Sequence, residues 1–144
     1  MPTPDEKRQA QQKRVRDFLK RVQRTYGITP MEYRALYRAQ GGRCYVCRSA
    51  SGRTRFLGVD HDHLTGEVRG LVCTGSLNAN TCNRLIALYN RASLRRAVEM
   101  LSDPPPARLV LTAVRNQEEE IPSLVDGTTF RLKDMKGGLI DDES

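Results

Sequence analysis

Residues 58–73 read GVDHDHLTGEVRGLVC and contain both histidines of this 144-residue chain. Two pieces of strand length, Phe56–Asp60 and Glu67–Val72, lie on either side of the turn Leu64-Thr65-Gly66. Short pieces of this kind around a glycine-containing turn are typical of a β-hairpin. The sequence therefore predicts a two-stranded hairpin, with the run Asp60-His61-Asp62-His63 where its first strand ends.

Four cysteines flank the hairpin in two pairs. Cys44 and Cys47 form a C-x-x-C knuckle, and Cys73 and Cys82 follow about 30 residues later with a longer C-x8-C spacing. The charged first residues have no apolar segment and predict a chain that is not secreted, where cysteines are more often metal ligands than disulfides. Two remote thiolate pairs can enclose Zn²⁺ as a closed, structural site. We predict such a site, with buried thiol pairs or a redox C-x-x-C motif as alternatives.

The alternating carboxylates and imidazoles of Asp60-His61-Asp62-His63 indicate a second site. An aspartate offers the hard oxygen ligand that Mg²⁺ or Mn²⁺ prefers, and a neutral histidine can accept a proton from water. Asn83 directly follows Cys82, so zinc on that cysteine would hold the Asn83 amide facing the hairpin, where it can complete a cation site with Asp60. The alternatives are a second zinc ion on the run and a helix N-cap role for Asn83.

Apolar residues at helical spacing predict two helices before the knuckle. The first covers Lys13–Thr25, with residues 2–12 outside it, because Val15, Phe18, Leu19 and Val22 form one stripe. The second begins after Thr29, where Pro30 and Glu32 complete a capping box, and it ends at Gly41-Gly42.

The second half of the chain predicts short elements. One helix begins at Asn83 and another, capped by Ser93, continues to Leu101. Strands are predicted at Val110–Val114 and Thr128–Leu132. The fold is then α+β and mainly helical, with basic N-terminal helices over 1–40, a zinc-bound core over 41–106 and an acidic tail over 107–144.

Charge is spread unevenly along the chain. Residues 1–40 hold ten basic and four acidic side chains, residues 41–100 nine and four, and residues 101–144 five and nine. A basic body favours a polyanion such as DNA, because each lysine or arginine set against a phosphate releases counterions; a solvated basic surface is the alternative. The acidic tail is predicted to contact a basic surface or a partner chain, or to remain a solvated disordered segment.

Apolar residues make up 38% of the chain, and no apolar run approaches the roughly 18 residues of a membrane span. We therefore expect no membrane partner and a cytoplasmic protein with a small core.

Five segments, taken in order, resemble the recombination endonuclease VII family, a branch of the HNH or His-Me finger nucleases. They are Tyr26-Gly27-Ile28-Thr29, Gln40-Gly41-Gly42-Arg43-Cys44-Tyr45-Val46-Cys47, Val59-Asp60-His61-Asp62-His63 with Thr65-Gly66, Val68-Arg69-Gly70-Leu71-Val72-Cys73 and Cys82-Asn83-Arg84-Leu85. The resemblance covers about residues 24–105 and implies a zinc-clamped ββα-metal finger among flanking helices. Members are mostly encoded by phages, which would place the protein in the host cytoplasm.

The resemblance also implies roles for individual residues. Cys44, Cys47, Cys73 and Cys82 match the zinc ligands, and Asp60 and Asn83 match the ligands of a catalytic Mg²⁺ or Mn²⁺ ion. His61 matches the general base and His63 a second active-site histidine. By their charge, Arg69, Arg84 and the basic N-terminal helix are candidates for DNA phosphate contacts; solvated surface charges are the equal alternative. The resemblance also implies a possible homodimer.

We therefore predict a metal-dependent DNA endonuclease that resembles a Holliday junction resolvase. A general or site-specific HNH nickase of the packaging or restriction type is an alternative. A zinc-stabilised DNA-binding or assembly protein with an idle nuclease site is another.

Overall fold

The computed structural model describes residues 1–74 and 91–135, and within them an antiparallel hairpin lies among four helices. The helices are α1 (Pro4–Tyr26), α2 (Pro30–Ala39), α3 (Arg91–Met100) and α4 (Pro106–Arg115). The hairpin strands are β1 (Gly58–His61) and β2 (Val68–Val72), and a smaller sheet pairs β3 (Ile121–Pro122) with β4 (Thr129–Phe130) before a 3-10 turn at Leu132–Asp134. The predicted class, α+β and mainly helical, is confirmed.

Both N-terminal helices begin with the same local signal, a threonine followed by proline and, two residues further on, by glutamate. The Thr29 side chain accepts the Glu32 amide at 3.1 Å, and the Glu32 carboxylate accepts the Thr29 amide at 2.8 Å. Thr3 and Glu6 make the same reciprocal pair at the start of α1. The prediction that residues 2–12 lie outside the first helix is therefore wrong, because this earlier capping box starts α1 at Pro4.

Two glycines end α2 and direct the chain into the cysteine knuckle. Gly41 and Gly42 have φ values of 71° and 70°, which favour glycine. A Cβ atom on Gly42 would also lie 3.4 Å from the Tyr37 ring. The predicted end of this helix is confirmed, and residues 43–57 then lead to the hairpin.

Residues 110–114 are helical, so the strand predicted at Val110–Val114 is wrong. The buried residues of α4 recur at the three- and four-residue spacing of a helix, and Pro106 occupies a first-turn position that suits proline. Thr128–Leu132 forms a strand only at Thr129–Phe130. The helix predicted at Asn83 lies outside the described residues.

The core is formed by helix faces packed on the hairpin. α1 contacts α2 and β1, while α4 contacts α2 and β2. The buried helical residues are Val15, Phe18, Leu19 and Val22 of α1, Tyr33, Ala35, Leu36 and Ala39 of α2, and Ala107, Val110, Leu111 and Ala113 of α4. Among the described residues, no helix combines the length and the apolar character needed to cross a membrane.

The start of α2 is also tied to the end of α4. Glu32 is only 5% exposed, and its carboxylate bonds the Arg115 guanidinium in addition to the Thr29 amide. A buried carboxylate is costly unless it is paired, so this double contact makes the Thr29–Glu32 cap part of the core.

We expect Thr29→Ala to lower the free energy of unfolding by about 1–2 kcal/mol, the usual loss for an N-cap. The matched control is Thr3→Ala, which removes the same capping bond from an exposed helix end that can fray without disturbing the core. Urea denaturation of both variants tests the comparison. Equal losses in the two variants would contradict the structural role given to the Thr29 cap.

Candidate active site and metal centre

Three cysteine sulfur atoms converge beside the hairpin. The Sγ atoms of Cys44, Cys47 and Cys73 all lie within 4.8 Å of one another. Cys44 and Cys73 are buried, and the backbone N–H of Ser49 donates to the Cys47 sulfur at 3.4 Å. The structure thus joins the C-x-x-C knuckle to the end of β2, as the sequence predicted for these three residues. Cys82 lies outside the described residues.

A buried glutamine holds the knuckle and β2 together. The Gln40 side chain accepts the Leu71 amide at 2.8 Å and donates to the Leu71 carbonyl at 2.9 Å. The same carbonyl accepts the Tyr45 amide at 3.1 Å, from within the knuckle. Because Cys73 is two residues beyond Leu71, these bonds fix its distance from Cys44 and Cys47.

The cluster suits a soft divalent metal such as zinc. A hydrogen bond with Cys73 and burial raise the pKa of the Cys44 thiol to about 12. The Cys44 thiol is therefore protonated without a metal, and a bound zinc ion would replace its proton with a thiolate–metal bond. Three sulfur donors fit a tetrahedral zinc site that needs one further ligand.

Asp60, on β1, is paired with an arginine of β2. The Arg69 Nε and one terminal nitrogen donate to the two Asp60 oxygens at 2.8 and 3.2 Å. The pair is largely shielded, with side-chain exposures of 30% for Asp60 and 20% for Arg69. Arg69 occupies one lone pair on each oxygen, so the carboxylate keeps acceptor capacity for a cation such as Mg²⁺.

An irregularity in the hairpin register explains this pair. Asp60 lies opposite Gly70, but His61 lies opposite Val68, so β2 has one extra residue, Arg69, at this point. A bulge of this kind redirects a side chain. Sequence spacing alone gives no sign of it, so the Asp60–Arg69 contact was not predicted.

His61 ends β1 and contacts two other rings. Its imidazole lies 5.1 Å from the Tyr26 ring and 4.7 Å from the His63 imidazole, measured between ring centroids. The structure thus brings the two predicted histidines together and adds Tyr26, the last residue of α1. The sequence offers one signal for Tyr26, an aromatic residue directly before the Gly27 helix stop. The contact of Tyr26 with His61 depends on how α1 packs.

The Asp62 carboxylate caps the turn that follows β1. One of its oxygens accepts the amides of Leu64 and Thr65 at 2.7 and 2.9 Å, and these backbone bonds lower the pKa of the Asp62 carboxyl. The two aspartates of the run therefore have different surroundings, with Asp60 beside Arg69 and Asp62 capping the turn. Asn83 and Arg84 lie outside the described residues.

Comparison with known proteins gives one family and two relatives. Residues 19–103 match the family described as recombination endonuclease VII. The Gene 59 protein of Mycobacterium phage D29 is 46% identical over 93 residues, and that of Mycobacterium phage L5 is 44% identical over 93 residues. Each match covers 62% of this chain and 53% of the relative, so the chain spans about half the length of the curated relatives it matches. No solved structure matches the chain.

We expect Cys44→Ser and Cys47→Ser to lower the zinc content of the purified protein and its melting temperature, since metal binding to such clusters contributes folding free energy. Cys73→Ser should do the same, because its sulfur belongs to the same cluster. Metal analysis and thermal unfolding with and without a strong chelator measure both effects, and Ser49→Ala is the control in the same knuckle. Protein that is purified without zinc and whose melting is insensitive to the chelator would contradict a structural metal.

Proposed function

The chain belongs to the recombination endonuclease VII family, and from this membership we propose that it hydrolyses phosphodiester bonds of DNA as a metal-dependent endonuclease acting on branched substrates. The observation that carries the proposal is the position of His61. Its imidazole stands at the end of β1, beside the His63 ring and one residue from the Asp60 carboxylate. A proton acceptor next to a cation ligand is the minimum that hydrolysis of a phosphodiester requires.

His61 would act as the general base. Its imidazole accepts a proton from the attacking water, and contacts with the Tyr26 and His63 rings restrict the imidazole. His63 is the second active-site histidine of the proposal. The products would carry 5′-phosphate and 3′-hydroxyl ends.

Asp60 and Asn83 would hold a Mg²⁺ or Mn²⁺ ion. Such an ion, when bound, offsets negative charge on the phosphate and on the leaving oxygen. Arg69 fixes the direction of the Asp60 carboxylate through two hydrogen bonds. Its other guanidinium N–H groups make no hydrogen bond within the described part of the chain and can meet a DNA phosphate. Arg84 is proposed as a second phosphate contact.

Zinc on Cys44, Cys47, Cys73 and Cys82 would have a structural role in this scheme, because four sulfur ligands leave no open position for water. It would join the knuckle, the hairpin and the segment that carries Asn83 into a ββα-metal, or His-Me finger, core. With this core, the protein would be an HNH nuclease.

The proposal includes a homodimer in the host cytoplasm. In the described part of the chain, Leu94, Val98 and Leu101 are 41%, 60% and 66% exposed at helical spacing along and just after α3, a stripe that a second copy can cover. The acidic run Glu118 to Glu120 is also exposed, which leaves it accessible to a basic surface or partner.

We expect His61→Ala to reduce Mg²⁺-dependent cleavage by about 10²- to 10⁴-fold, the usual effect of losing a general base. The substrates are a synthetic four-way junction, a matched duplex and a single strand, and the junction should be cleaved fastest. Leu64→Ala is the control, because Leu64 is 97% exposed in the same hairpin turn and lies outside the site.

Zinc content and DNA affinity of His61→Ala should match those of the unsubstituted protein. Full cleavage by His61→Ala would remove His61 from the mechanism. Failure of the unsubstituted protein to cut any of the three substrates would overturn the endonuclease proposal, and preference for the plain duplex would favour a nickase over a junction enzyme.

A further inference from the structure

We propose that a groove between α1 and β1 binds the sugar-phosphate backbone of the DNA strand next to the reacting phosphate. This α1–β1 groove has a volume of about 810 Å³. Its α1 side includes Lys13, Arg14 and Arg21, and its opposite side includes Arg55 and Phe56. The inference rests on the proposed function and specifies which surface of the protein holds the substrate.

The charge of the groove fits a polyanion. Among the residues that the structure describes, four cationic side chains line it, Lys13, Arg14, Arg21 and Arg55, against a single carboxylate, that of Asp17. Asp17 pairs with Lys13 at 2.7 Å, and among the described residues no carboxylate lies within ion-pair distance of the three arginines. The lining therefore carries a net charge of about +3, which a run of phosphates can neutralise with release of counterions.

Aromatic rings hold two of these cations against the groove wall. The Phe18 and Phe56 rings stack with centroids 4.3 Å apart. The Arg14 guanidinium lies 4.6 Å from the Phe56 ring and donates to the Thr54 carbonyl at 3.0 Å, while Arg21 lies 5.6 Å from the Phe18 ring. Planar guanidinium groups held in this way lose little freedom on meeting a phosphate, which makes them better ligands than free side chains.

The groove leads directly to the predicted base. Tyr26 is one of the residues that line it, and the Tyr26 ring lies 5.1 Å from His61. Gly58 and Val59 of β1 also line the groove, immediately before Asp60. A strand lying in the groove would thus continue to His61 and Asp60 along β1.

Part of this surface is an addition to the family's matched region. The match begins at residue 19, whereas Lys13, Arg14 and Phe18 precede it. These residues lie on α1, which begins at Pro4 after the Thr3 capping box. Lys13 and Arg14, on the groove side of α1, thus extend the proposed DNA contact beyond the region that matches the family.

The test compares two triple variants that remove the same charge. The groove variant is Lys13→Gln, Arg21→Gln and Arg55→Gln, and the control is Arg8→Gln, Arg16→Gln and Lys20→Gln, three exposed α1 positions that do not line the groove. Both are measured as full chains, with zinc and without magnesium, for affinity to a fluorescent four-way junction at several salt concentrations. Hydroxyl-radical footprinting of the same complexes locates the contact on the DNA.

Each phosphate contact contributes about 0.9 to the slope of log affinity against log salt, so the groove variant should lose about 2–3 from this slope and at least about tenfold in affinity at the lowest salt. The control should change affinity by less than about threefold. The footprint of the groove variant should lose protection beside the cleavage position. Equal slopes and footprints for the two variants would overturn the inference, even if the unsubstituted protein cuts DNA. Absence of cleavage by the unsubstituted protein, with the predicted difference in slopes, would instead overturn only the proposed function.

Discussion

The side chain of Gln40 pairs with both backbone groups of Leu71, and the position of the hairpin depends on this buried contact. Gln40 is 2% exposed and Leu71 is fully buried, so the pairing is made away from water. A hydrogen bond contributes about 1 kcal/mol net, but a buried donor or acceptor left without a partner costs about 1–3 kcal/mol. The end of α2 therefore specifies where β2 lies, and β2 in turn carries Cys73 to the knuckle and Arg69 to Asp60.

Local signals predicted most of the helices and the hairpin. The Thr29 capping box and the Gly41-Gly42 stop act within a few residues, so α2 could be located from sequence. The same capping box at Thr3 also marks the start of α1 in the sequence. The prediction for this helix used only the apolar stripe of Lys13–Thr25 and therefore missed the earlier start. The strand predicted at Val110–Val114 is part of α4. Five residues taken alone are too few to distinguish the 3.6-residue period of a helix from the two-residue period of a strand.

The sequence predicted which residues belong to the candidate site, but not which side chains contact Asp60 and His61. The residue types at Asp60, His61 and the cysteines indicated chemistry, and the structure groups Cys44, Cys47 and Cys73 as expected. The partners of Asp60 and His61 are Arg69 and Tyr26, and they depend on a bulge in β2 and on the packing of α1. Such long-range consequences of packing cannot be read from spacing. The packing of α1 also connects the site to the basic groove, because Tyr26 contacts His61 and lines the groove.

In the proposed mechanism, a thiol-bound metal holds the hairpin so that His61 and Asp60 can act in the cleavage of DNA. The most direct test is the single-turnover cleavage rate of a four-way junction, at saturating magnesium, for one preparation stripped of zinc and reloaded in steps. We expect a rate that rises in proportion to the zinc bound, with no cleavage by the zinc-free chain. A zinc-free chain that cleaves as fast as the reloaded one would contradict it.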